Sequence, residues 1–396
     1  MAAAALALAG CLEDEGPRAE ASCLEGPAPG RPAVVALLGQ VQGNPTELHG
    51  PMNELVRISL PGGKVEARRG LGPRWKPGDA GRLSGLARVP SGPLLAPTPD
   101  GGTVLALVRN PVSRRSSVAV VDVRSLRVRC SHPLEPGVLY SGLLLGRSGT
   151  VYAVGARRAG RSRSDALVTM ADADTGRLLG TRTLREADQT PRVRTGKSWW
   201  AYWAALSADE RRLLLSYHGG DTTGADSFRV RPGSGVSGGM PTAGTDADSV
   251  HGAVYPAGTG FVAATGSNAM LRLDRRGRQR GRFRVKGQVG HLMDFEIEPE
   301  RRLLYVSACG ARPAIIRLEL RRGRQTSVPS GDFCGYPLAH YADRFLVLDA
   351  ERVDRWGYPS TRSAGLRLLD LRRGGPGRAI PSSTGAFDAV VVGTRR

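Results

Sequence analysis

Three observations along the chain predict an all-β fold, a seven-bladed β-propeller with four strands per blade. A strand–tight turn–strand hairpin recurs, another β-rich run precedes each hairpin, and helical periodicity is nearly absent. Units of about four strands repeating every 40 to 60 residues are the sequence form of a propeller.

The hairpins read LVRISLPGGKVEAR (55–68), VAVVDVRSLRVRC (118–130), LVTMADADTGRLLG (167–180), LRLDRRGRQRGRF (271–283), IIRLELRRGRQTS (315–327) and LRLLDLRRGGPGRAI (366–380). SFRVRPGSGV (227–236) is a weaker copy. Most turns contain Gly, which takes positive φ without steric cost. The preceding runs are AVVALL (33–38), VLALV (104–108), VYAVG (151–155), LLLSY (213–217), FVAAT (261–265), LLYVS (303–307) and FLVLD (345–349). Most follow a tight turn such as PDGG, RSG or PERR, with one more β-like stretch ahead of it. The first unit begins directly at its second strand, while GAFDAVVVG (385–393) is left over at the other end. The C-terminal stretch is therefore expected to supply the innermost strand of blade 1, which removes two open sheet edges.

The hairpins, DADTGRLLG (172–180) above all, resemble the YVTN-type propeller repeats of secreted bacterial proteins over roughly residues 33 to 393. The N-terminus carries a second resemblance. Leu8-Ala9-Gly10-Cys11 resembles the lipobox of bacterial lipoproteins, which implies cleavage before Cys11 and a lipid on its thiol. The apolar run spans only Ala2–Ala9 with no basic residue ahead of it, so the natural start is expected upstream. Residues 12–32 are rich in Glu, Pro, Gly and Ala, a tether composition. The expected organisation is a signal-peptide remnant (1–10), a flexible tether from the lipobox cysteine (11–32) and the propeller (33–396). The lipobox resemblance implies a protein outside the cytoplasm, anchored to a bacterial membrane by a lipid on Cys11.

A net charge of +20 speaks to anionic partners and solubility rather than to fold. There is no zinc-finger spacing, RNA-binding aromatic signature or long basic helix, so nucleic acid is not expected. In a propeller the A–B and C–D turns share one face and the B–C and D–A loops the other. The first set is short and basic: Arg211, Arg212, Arg275, Arg276, Arg301, Arg302, Arg321, Arg322, Arg372 and Arg373 all fall there. This lower face suits an anionic membrane or cell-wall polymer. The upper set is long and varied, where function tends to sit on a rigid scaffold, and an unidentified protein or small ligand is its expected partner. The chain is expected to be a monomer.

Apart from Cys11, four cysteines remain, which allows three disulfide pairings. Cys309 and Cys334 both fall at the top between blades 6 and 7, so that pair is expected, and Cys23–Cys130 is the remainder. A Cys309–Cys334 link would be worth about 3 kcal/mol in loop-closure entropy. No pair has C-x-x-C spacing.

Upper-face residues of blades 4 to 6 form the candidate site. His218, Asp221, Asp246, Asp248, His251 and His291 converge near the expected channel mouth, a set that could hold a divalent metal or transfer protons. Trp199, Trp200 and Trp203 could form an aromatic platform, or could pack between blades. His49, His132 and His340 receive no role. Two glycine patterns, GSGVSG (233–238) and GVSGG (235–239), lack the strand–helix setting that nucleotide and hydrolase motifs need. The leading expectation is a non-catalytic binding or scaffold module. The alternative is a metal-assisted lactonase-like hydrolase or lyase.

Overall fold

The structure, a computed structural model, describes residues 22–27, 30–38, 53–73, 93–110, 113, 115–158, 164–185, 200–207, 209–219, 222–232, 235–241, 254–257, 260–265, 269–285, 290–298, 302–310, 312–331, 333–342, 344–353, 359–380, 383 and 386–393. It is a seven-bladed β-propeller of antiparallel four-stranded sheets.

Blade 1 contains β1 (Ala33–Leu38), β2 (Glu54–Ser59) and β3 (Val65–Gly70). Blade 2 contains β4 (Leu95–Pro97), β5 (Thr103–Asn110), β6 (Arg115–Asp122) and β7 (Val128–Pro133), and blade 3 β8 (Val138–Leu145), β9 (Thr150–Arg158), β10 (Ser164–Asp172) and β11 (Leu178–Arg185). Blade 4 is β12 (Trp200–Leu206), β13 (Arg212–Gly219), β14 (Thr222–Arg231) and β15 (Gly235–Pro241). Blade 5 is β16 (Val254–Ala257), β17 (Gly260–Thr265), β18 (Ala269–Leu273) and β19 (Gln279–Arg284). Blade 6 is β20 (Gly290–Glu298), β21 (Leu303–Gly310), β22 (Ala314–Glu319) and β23 (Gln325–Pro329). Blade 7 is β24 (Phe333–Tyr341), β25 (Phe345–Val353), β26 (Pro359–Asp370) and β27 (Arg378–Ala379). The last strand, β28 (Ala386–Val392), pairs with β1 and closes the ring, Ala33 opposite Val392 and Ala36 opposite Ala389.

The second strand of each blade carries an apolar run, and where its burial is described both faces of that run are buried. Side chains alternate across a strand, so odd and even residues feed two different inter-blade seams. In β1, Ala33, Val35 and Leu37 pack toward blade 2, whereas Val34, Ala36 and Leu38 pack toward blade 7. In β9, Val151 and Ala153 join blade 2, and Tyr152 and Val154 join blade 4. The same split recurs for Leu214 against Leu213 and Leu215, for Phe261 and Ala263 against Val262, and for Leu303 and Tyr305 against Leu304 and Val306. The core is thus a ring of seams. Outer strands carry the charge: β3 and β19 are largely exposed and basic, which discourages edge-to-edge pairing.

Turn chemistry fixes the hairpins. Asp122 Oδ1 accepts from Ser125 N–H at 2.7 Å, and Asp172 Oδ1 from Thr175 N–H at 2.8 Å. The αL position of these turns is Gly176 in blade 3 (φ 71°) but Leu126 in blade 2 (φ 55°). Backbone bonds tie the C–D turn of a blade to its own A–B turn: Val123 N–H to Gly102 O, Ala173 N–H to Gly149 O, Val230 N–H to Arg211 O and Leu320 N–H to Arg302 O. Both turn sets therefore share one face.

Both expected cysteine pairs are disulfides. Cys309–Cys334 staples β21 of blade 6 to β24 of blade 7, with Cα atoms 5.2 Å apart. Cys23–Cys130 fixes the segment 22–27 to β7, the outer strand of blade 2, with Cα atoms 6.0 Å apart. That segment lies along the lower edge of blades 2 and 3. Ser22 Oγ donates to Asp174 Oδ1 at 2.7 Å, Arg129 donates to Ser22 O at 3.0 Å, and Thr103 Oγ1 donates to Leu24 O at 2.9 Å. Gly26 passes so close to Gly102 that a Cβ on it would sit 2.6 Å from the Gly102 carbonyl oxygen. Among the described residues, no helix is long and apolar enough to cross a membrane.

Candidate functional site

The expected upper-face set is placed by its strands. Trp200 opens the inner strand β12 and is opposite His218 on β13, in the part of the ladder farthest from the A–B turn; Trp203 lies further along β12. His291 is the second residue of the inner strand β20 and is opposite Cys309. Asp221, Asp246, Asp248, His251, Trp199 and Cys11 lie outside the described residues. The Gly/Ser-rich stretch includes the edge strand β15, with sheet rather than helix beside it.

A different constellation runs along the inner wall, where three consecutive innermost strands each contribute a titratable group. Glu296 on β20 accepts from or donates to His340 on β24 through Oε1 and Nδ1, 2.9 Å apart. The pair is partly screened, with His340 28% and Glu296 16% exposed at the side chain. Asp388, on β28, is buried. Its Oδ2 accepts from Leu94 N–H at 2.6 Å and Leu95 N–H at 2.7 Å, at the start of the inner strand of blade 2, and its Oδ1 accepts from Ala389 N–H at 2.8 Å. Burial pushes this carboxyl up to about 7, and the charge of Glu296 pushes the same way against the three amide bonds. A carboxyl that titrates near neutrality can take up or release a proton at working pH. The sequence contained a signal for it: FEIE (295–298), AHY (339–341) and FDAV (387–390) each break an apolar inner strand with a titratable residue, and inner strands face the channel.

Other buried polar groups join neighbouring blades. Asn53 mimics a strand partner, its Nδ2 donating to Arg109 O at 2.9 Å and its Oδ1 accepting from Arg109 N–H at 3.2 Å. The Arg109 guanidinium, pushed down to about 10 by burial, donates to Tyr140 O at 3.1 Å in blade 3. Glu210 accepts from Ser148 N–H of blade 3 at 3.1 and 3.2 Å through its two oxygens.

The lower face carries the arginines expected there; Arg301 lies outside the described residues. Arg212 has its pKa lowered first by burial and then by the charges of Arg229, Arg276 and Arg275. These four arginines form a basic group at blades 4 and 5, with Arg212 and Arg229 cross-strand partners and Asp209 the opposing charge on Arg212. The group's carboxylates are already engaged: Asp209 accepts from Ser207 Oγ at 2.6 Å, and Asp274 from Arg276 N–H at 2.8 Å and Arg280 Nε at 3.0 Å. Arg229 is the member that turn reading alone missed, because it lies on strand β14 rather than in a turn.

Among the described residues, Cys23, Cys130 and His132 place their sulfur and ring-nitrogen atoms within 4.8 Å of one another, with the two sulfurs joined as a disulfide.

No protein-family model matches the sequence, and no curated protein matches it. Solved structures match the fold. The periplasmic gluconolactonase PpgL of Pseudomonas aeruginosa is 14% identical over 91% of this chain and 99% of its own, with a TM-score of 0.54. A Lactobacillus plantarum protein is 15% identical over 91% and 98%, with a TM-score of 0.52. Apo AztD of Citrobacter koseri is 12% identical over 91% and 98%, with a TM-score of 0.50. At such identity the likeness is one of fold, and folds of this kind host unrelated functions.

Proposed function

We propose that this protein is an exported, lipid-anchored binding module that sets its basic lower face against an anionic surface and presents its upper loops to a partner. The observation that carries the reading is the grouping of Arg212, Arg229, Arg275 and Arg276, whose like charges act together on Arg212 and outnumber the opposing charge of Asp209. Two further observations support it. Both disulfides fit an oxidising compartment outside the cytoplasm. Segment 22–27 docks at the lower edge, so Cys11, eleven residues before Ser22, could reach no more than about 40 Å from that face. A lipid on Cys11 and a basic patch on the same face are the two signals that stable membrane attachment requires.

Each arginine held near an anionic membrane contributes about 1 kcal/mol, and the contribution decays within a Debye length. The protein should co-sediment with phosphatidylglycerol vesicles at low salt, leave them at moderate salt, and ignore phosphatidylcholine vesicles. Absence of binding at low salt overturns the membrane form of the reading. Binding to an anionic wall polymer instead would assign the same face to that partner.

A second reading is favoured by the Glu296–His340 pair and the neutral-range Asp388: proton-transfer chemistry in the central channel. The metal-assisted lactonase or lyase version belongs to His218, His251 and His291 with Asp221, Asp246 and Asp248. It requires a divalent ion that stays bound in the wild type and is lost in the His218→Ala/His251→Ala/His291→Ala variant.

A further inference from the structure

The Cys23–Cys130 disulfide has an unusual neighbour. Cys130 and His132 are two apart on β7, so both project to the same side of the strand. That side faces blade 3, where Asp174 holds Ser22. His132 is buried, with Nε2 3.1 Å from Ala173 O. Space for its ring comes from Gly176, whose φ of 71° already favours glycine and where a Cβ would strike the imidazole. Cys23 and Cys130 are only partly buried, whereas Cys309 and Cys334 are 3% and 0% exposed. The two disulfides therefore differ in access.

We propose that Cys23, Cys130 and His132 form a thiophilic metal site that opens when the Cys23–Cys130 disulfide is reduced. The step balances with an external dithiol as reductant. Its thiolate attacks one sulfur, its second thiol resolves the mixed disulfide, and the products are two protein thiols and one oxidised dithiol. A Zn2+ or Cu+ ion then displaces the two thiol protons and binds two thiolates and one imidazole nitrogen. Thiolate-rich sets with an imidazole select these ions. The Ala173 carbonyl beside the ring supplies the outer contact that metal-bound histidines usually keep. Because Cys23 lies on the docked N-terminal segment and Cys130 on blade 2, the ion would replace the covalent staple, and segment 22–27 would stay in place. Oxidised protein holds the segment covalently and takes no metal there. Reduced protein holds it by its hydrogen bonds alone until metal restores the staple.

The test uses the full chain, oxidised or reduced with a phosphine that is then removed, with alkylation mapping to confirm that Cys309–Cys334 stays intact. Zn2+ is titrated against a chromophoric chelator, and Co2+ is added in parallel for its thiolate charge-transfer band. One equivalent bound by the reduced form, none by the oxidised form, and a thiolate–Co2+ band are expected. His132→Gln should weaken binding by more than about tenfold, and Cys23→Ser should abolish the band. Protease resistance of residues 22–27 in reduced protein should return with Zn2+. The proposal fails if reduced wild type binds no Zn2+, or if Cys23→Ser binds it as tightly. Since the Co2+ band reports thiolate ligation directly, wild type alone suffices to refute it should a variant misfold.

Discussion

Asp388 is a single residue on which local electrostatics and global stability meet. In the unfolded chain an aspartate releases its proton near 3.8, and in the fold this one holds it to about 7. Between those values the native state keeps a proton that the unfolded chain has lost. Stability contributed through this group therefore falls as pH rises from about 4 to about 7 and is level above that. The slope approaches the one-proton limit, about 1.4 kcal/mol per pH unit. Asp370 acts in the opposite sense: Arg344 and turn amides hold it down to about 2, so it favours the fold above pH 4 and ceases to as pH falls toward 2. Urea unfolding from pH 4 to 8 should show the decline in wild type and a flatter profile in Asp388→Asn. Parallel profiles would show that the carboxyl does not titrate in that window. Leu126 poses a second question at this scale. It takes the αL conformation that glycine holds in sister turns, yet its side chain is fully buried. Left-handed strain costs roughly 1–2 kcal/mol, and losing a buried leucine costs about 2–5. Burial should win, so Leu126→Gly is expected to lower stability by about 1–3 kcal/mol in chemical denaturation. A stabilised variant would reverse that ordering.

At the level of elements, much of the fold was legible in the chain. A strand buried on both faces must be apolar on both, and AVVALL (33–38) and Leu213–Leu215 are so for that reason. Turn residues such as DTG and PGG mark where each hairpin folds back. The candidate site was less legible. Glu296 and His340 pair, and the charge of Glu296 reaches Asp388, only because the ring sets strands from blades 6, 7 and 1 side by side, over sequence separations that no local spacing encodes. The Cys23, Cys130 and His132 group is likewise assembled by a docked segment distant in sequence. The two staples act on different elements and should fail differently. Cys23–Cys130 closes a separation of 107 residues, for which loop-closure entropy is about 5 kcal/mol, yet it pins a peripheral segment. Cys309–Cys334 closes 25 residues inside the seam of blades 6 and 7. Cys23→Ser should release segment 22–27 to hydrogen exchange while leaving the blades protected, whereas Cys334→Ser should raise exchange across β20–β24. Uniform loss of protection in both variants would mean that the ring responds only as a whole.

For the whole molecule, closure and charge are the two properties that matter. Closure rests on β28: without it, β1 and the inner edge of blade 7 lose their neighbour. A chain ending at residue 384 should lose cooperative unfolding altogether. Charge rests on how the +20 is distributed rather than on its size. The most direct test of the central claim therefore holds net charge constant and moves the site of its removal. Arg275→Ser/Arg276→Ser takes two charges from the lower face, and Arg115→Ser/Arg158→Ser takes two from the upper, all four residues being exposed. Binding to phosphatidylglycerol vesicles should weaken by about thirtyfold in the lower-face variant, the equivalent of roughly 2 kcal/mol, and change little in the upper-face one. Equal losses in both would mean that only bulk charge attracts the membrane, and would contradict a lower face built to dock.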